Sequence, residues 1–115
     1  MKETLPRLSP ERDLKKRTKQ FALRAIRLVE SLPKTRTATV IGNQLLRSST
    51  SVPANYRASC RARSNAEFRA KLGIVEEETD ESVFWMEMLV DTCLVKPTRV
   101  EDLMEEGNQL TAILG

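Results

Sequence analysis

Gln44, Ser48, Ser51 and Asn55 recur at spacings of four, three and four, which on a helix aligns two carboxamides and two hydroxyls along one edge. A hydroxyl becomes a nucleophile only beside a general base, and the 115-residue sequence contains no histidine. It also lacks a Gly-x-Ser-x-Gly turn and a Walker-type glycine loop, so the serines have neither the base nor the backbone setting of catalysis. The paired-metal chemistry of helical bundles needs Glu-x-x-His on two helices and fails on the same absence. Cys60 and Cys93 form no CxxC spacing, which leaves zinc short of ligands. No catalytic group, metal or cofactor is therefore expected, and the chain reads as a non-enzymatic protein. The polar row is expected to hydrogen-bond across a bundle or subunit boundary, joined by Glu78 from a later segment; a bound small ligand is the alternative.

The second chemistry is charge. Up to Val75 there are 17 Lys/Arg against 5 Asp/Glu; from Glu76 onward there are 2 against 11, although the whole chain is only +3. Such a division points to a partner or to self-association. Arg12, Lys16, Lys19 and Arg27 fall on the outward side of a first amphipathic segment, and Arg47, Arg57 and Arg61 on that of a second. Basic density of this kind suits phosphate backbones, with solvated surface as the plain alternative. Few aromatics are available to stack on bases, and Phe21 and Phe68 read as buried, so binding to RNA or DNA is expected to be sequence-tolerant and salt-sensitive.

The elements that must position these groups are helical. Leu14, Phe21, Ala25, Leu28 and Leu32 trace one apolar face, ended by Pro33; Ile41, Leu45, Val52 and Tyr56 trace a second that contains Pro53 in its interior, where a kink is expected. Phe68, Leu72, Val75, Thr79, Ser82, Met86, Leu89 and Cys93 alternate by four and three, which predicts one long seam. Ser64–Glu67 has the form of a capping box, and Thr98–Glu101 of a second one after Pro97. Helices are thus predicted over about 10–32, 37–63, 65–94 and 99–114, within a single domain 10–115 preceded by a loose arm, 1–9. No strand pattern competes, and the short connections predict an all-α, antiparallel up-down-up-down four-helix bundle. The first residues carry no apolar leader and no window is apolar enough to span a bilayer, so a cytoplasmic protein with reduced cysteines and no membrane partner is expected. Leu23 and Ile26, which spill beyond the first apolar arc, and Trp85 at a seam edge are candidate anchors for an oligomer. A basic flank on one subunit meeting an acidic flank on the next would close such contacts into a ring.

Several runs are recognisable in order: Gln44-Leu45-Leu46-Arg47-Ser48-Ser49, Ser51-Val52-Pro53-Ala54-Asn55-Tyr56-Arg57-Ala58, Cys60-Arg61-Ala62-Arg63-Ser64, and Glu67-Phe68 through Glu76-Glu77-Glu78 to Phe84-Trp85. From about Phe21 to Leu114 the chain resembles the 23S rRNA intervening-sequence proteins, also called the four-helix-bundle protein family. The resemblance implies a four-helix bundle whose relatives form five-fold rings and are encoded, in some bacteria, inside insertions in large-subunit ribosomal RNA genes. It implies a homopentamer as the oligomer. The accessory variability determinant of diversity-generating retroelements, similar in fold, is basic and associates with nucleic acid and a reverse transcriptase. The partners expected here are a second copy and RNA or DNA, with another protein bound by the ring without nucleic acid as the alternative.

Overall fold

The computed structural model describes residues 10–115, with side chains from Asp13 onward. The expected arm, 1–9, and the Arg12 side chain lie outside the described residues. Four helices follow one another: α1 Pro10–Glu30, α2 Arg36–Cys60, α3 Asn65–Asp91 and α4 Pro97–Leu114, with no strand among the described residues. Each helix packs on the next and α4 returns to α1, while the backbones of the diagonal pairs stay apart and only their side chains share the core. The connections, 31–35, 61–64 and 92–96, are four or five residues long. Such a connection reaches at most about 18 Å, less than the length of any of the longer helices, at about 1.5 Å per residue. It cannot carry the chain back to the end where the preceding helix began, so neighbours run antiparallel.

The helices form because each has one apolar face to bury. Phe21, Ala25 and Leu28 from α1 meet Ile41, Leu45, Val52 and Tyr56 from α2, Val75, Met86 and Leu89 from α3, and Val100, Leu103, Leu110 and Leu114 from α4. Gly107 lets α4 settle between α1 and α3: a Cβ there would stand 2.6 Å from Val83 Cγ2 and 3.2 Å from Phe21 Cε1. Buried hydroxyls satisfy themselves locally, Thr18 on the Leu14 carbonyl at 2.7 Å and Thr79 on that of Val75 at 2.7 Å.

The termini correct the expected boundaries. Ser64 caps α3 as predicted, its Oγ accepting from the Glu67 amide at 3.1 Å, but Glu67 Oε1 accepts from the Arg63 amide at 2.6 Å, one residue before the cap. The second capping box does not form. Lys96 caps α4 without a side-chain bond and Pro97 takes the first turn, because its fixed φ is already helical and its missing N–H is not needed there. At the other end of α3, Cys93 adopts φ 62°, and the Leu94 and Val95 amides fold back to the Leu89 carbonyl. Cys93 is therefore exposed rather than a seam residue. Phe68 is also not buried: it keeps 38% of its surface exposed, since it lies in the first turn of α3, at the end of the bundle. α2 continues through Pro53 and ends at Cys60, so residues 61–63, expected in its last turn, belong to the connection.

Candidate nucleic-acid interface

Lys15 and Lys19 lie one turn apart on α1, so both side chains project toward the same flank. Opposite them, α2 presents Thr50, Pro53, Ala54 and Arg57, and the two helices enclose a groove of about 410 Å³ between these six residues. Pro53 and Ala54 are short, which keeps the floor low and leaves the cationic ends as the walls. Arg57 stands in the last turn of α2, where the negative end of the helix dipole favours a cation.

Of the seven basic candidates, Arg12 has its side chain outside the described residues, and the structure divides the other six. Lys19 and Arg57 come together in this groove, with Lys15 as a third wall. Lys16 and Arg61 are exposed near the same end of the bundle, and neither they nor Lys19 and Arg57 form an ion pair among the described residues. Arg27 lies apart, in a groove of about 240 Å³ between α1 and α4 with Arg24, Leu28, Arg99, Asp102 and Leu103. Arg47 is engaged within the molecule: it reaches Glu78 at 3.3 Å and also pairs with Glu81. The hydrogen bond from Arg47 to Glu81 raises the guanidinium pKa further. On Glu81 the leading influence is the Trp85 indole, donating at 2.9 Å, and with Arg47 it holds the carboxyl below its ordinary value against the opposing effect of burial. Arg17, absent from the sequence-based set, spans α1 to α4 in a two-pronged contact with Glu106 at 2.8 and 3.0 Å. Its pKa is raised first by that hydrogen bond.

The polar row stays mostly on its own helix. Ser51 Oγ donates to the Ser48 carbonyl at 2.7 Å, Asn55 Nδ2 to that of Ser51 at 2.8 Å, and Gln44 accepts from Arg47 at 3.3 Å. Ser48 alone crosses by hydroxyl, 3.0 Å from Ser82 Oγ on α3, while Glu78 crosses through Arg47. The Ser48–Ser82 and Arg47–Glu78 contacts tie α2 to α3, and each member of the row makes at least one hydrogen bond within the protein. Among the apolar candidates Leu23 is exposed and Ile26 half-buried. Trp85 is half-buried, its N–H taken by Glu81 and its ring edge-on to Phe84 at 4.9 Å between centroids. Phe84 itself, 47% exposed, was not singled out from sequence because it falls off the seam.

Among the described residues no cluster of three or more His, Cys, Asp or Glu could hold a metal ion, and no helix is long and apolar enough to cross a membrane.

Fold and surface together define a small helical-bundle protein with a cationic groove along one seam. The family model for the 23S rRNA-intervening sequence protein matches residues 11–115, and the chain belongs to that family. A crystal structure of a protein of unknown function from the S23 ribosomal protein family, from Bacteroides thetaiotaomicron, is similar in fold and sequence. It is 31% identical, covering 88% of this chain and 94% of that one, with a TM-score of 0.82. No curated protein matches.

Proposed function

We propose that the chain is a non-enzymatic, cytoplasmic protein that associates with nucleic acid, RNA above all, through the α1–α2 groove. The observation that carries this reading is the convergence of Lys19 and Arg57, with Lys15, on one groove, extended by Lys16 and Arg61. Four of these cations have no carboxylate partner among the described residues, whereas Arg17 and Arg47 do. Cations left without intramolecular partners are the ones that can neutralise phosphates and release counterions. Four phosphate contacts on a duplex make affinity fall by about 10²-fold between 50 and 200 mM salt. Electrophoretic mobility shift with ribosomal RNA fragments and an unrelated duplex, at these two salt concentrations, tests the proposal. Retention of both at low salt and loss at high salt is expected; no retention of either at low salt refutes it.

The second reading is a homo-oligomeric ring, the pentamer that the family resemblance implies, serving as an adaptor for another protein. It is supported by the exposed Leu23 and Phe84 and by the acidic outer residues Glu77, Asp80, Glu87 and Asp91 of α3, which complement the basic flank of α1 and α2. Light scattering at micromolar concentration tests assembly directly: a mass of about five chains supports the ring, and a monomer removes it.

A further inference from the structure

The end of the bundle where α1 and α3 begin and α2 and α4 finish holds an apolar pocket of about 290 Å³. Its walls include Leu14, Tyr56, Phe68, Leu72 and Ile113, and Phe68 and Ile113 remain 38% and 51% exposed. A contiguous apolar pocket with a partly exposed aromatic ring in its wall is the kind of surface that marks a ligand-binding site. Cations stand next in sequence to its lining residues: Arg61 follows Cys60, Arg69 follows Phe68 and Lys71 precedes Leu72, none with an ion pair among the described residues. The groove described above is its immediate neighbour. Leu14 lines the pocket while Lys15 lines the groove, and Tyr56 lines the pocket while Arg57 lines the groove. A partner that fits must therefore be anionic along its length and apolar and planar at points.

We propose that the nucleic acid bound here is single-stranded, with its backbone along the α1–α2 groove and one unpaired base seated in the end pocket against Phe68. This rests on the nucleic-acid reading above and narrows it to a substrate class. In a duplex the base faces are stacked on one another and cannot enter a pocket, whereas an unpaired base can rotate onto an aromatic ring. The pocket lies at the lower limit of ligand-site volumes, which range from about 300 to 1,000 Å³, and so suits one base rather than a larger group.

The test compares a single-stranded oligoribonucleotide with a blunt duplex of equal length, by fluorescence anisotropy at low salt, for the full chain and for Phe68→Leu. Leucine keeps apolar bulk but removes the ring. The expected result is tighter binding of the single strand, and a loss of about 5- to 150-fold for that strand alone in the variant, the worth of one stacked base. A fluorescent adenine analogue in the single strand, whose emission falls on stacking, gives a readout on the unsubstituted protein. Equal affinity for both strand forms, an unquenched analogue, or a variant that binds the single strand normally but changes oligomeric mass overturns the inference and leaves the groove reading intact. Failure to bind either strand form overturns both.

Discussion

Adding one methyl group at Gly107 and one at Gly73 separates packing from helix propensity. Both positions are helical, and replacing glycine by alanine in a helix interior contributes about 0.5–1 kcal/mol through backbone entropy alone. At Gly73 a Cβ meets nothing within 4 Å, so that gain is fully realised. At Gly107 the new carbon stands 2.6 Å from Val83 Cγ2 and 3.2 Å from Phe21 Cε1. Val83 is β-branched and buried, so its methyl has no free rotamer to retreat to, and Phe21 is fully buried. Overpacking of this kind costs about 1–3 kcal/mol, which outweighs the propensity gain and leaves Gly107→Ala about 1 kcal/mol less stable than the unsubstituted chain. The propensity term cancels between the two variants, so their difference reports the packing cost directly. Urea midpoints with unchanged slope, read at one protein concentration because assembly would couple to stability, provide the measurement. On heating, the pair should split by about 4–10 °C for a domain of this size. If the two variants shift together, α4 does not press on Phe21 and Val83 as described.

Ser64→Ala removes the cap on α3 and is expected to cost about 1 kcal/mol by denaturant titration, while Thr98→Ala, which lies inside α4 rather than at its cap, changes stability little. The reverse ranking would contradict the boundaries of both helices. Glu81 is held below the ordinary carboxylate value by Trp85 and Arg47, so the unfolded state binds more protons in the window between the two values and stability rises with pH there. This contribution is complete above the unfolded value and disappears as pH falls through the folded one. Glu81→Gln should flatten the acid limb of a stability–pH profile and weaken the response of Trp85 fluorescence to acid; an unaltered limb rules the contact out as its source.

The four helices and the middle of the core were legible because an amphipathic period reports which face is buried, and Val75, Thr79, Ser82, Met86 and Leu89 on α3 are all buried. A period says nothing about where along its axis a helix stops being covered. The apolar period therefore extends to Phe68, at the end of the bundle, and to Cys93, itself the left-handed residue of the turn that ends α3. The polar row on α2 was visible as a pattern, yet its partners depend on inter-helix register, and only Ser48 meets a hydroxyl across the seam. Charge type was legible and charge use was not. Arg47 and Arg57 look alike in sequence, but one faces Glu78, 31 residues away, and the other opens onto a groove. Lys15 was readable from its four-residue spacing to Lys19, whereas the meeting of Arg27 with Arg99 required the return of α4 to α1.

Removing charge from the groove and from a distant surface, in equal amount, tests the central claim most directly. Lys19→Gln with Arg57→Gln alters the groove; Lys34→Gln with Lys96→Gln alters exposed residues in the connections at the other end of the bundle and gives the same net charge. Each phosphate contact adds about one unit to the slope of log affinity against log salt. With single-stranded and duplex probes, the groove pair should weaken binding to both and reduce that slope by about 1.4 on the single strand and about 1.8 on the duplex, while the distant pair leaves it near the original value. Equal losses from the two pairs would mean that overall charge, and not the α1–α2 groove, holds the nucleic acid.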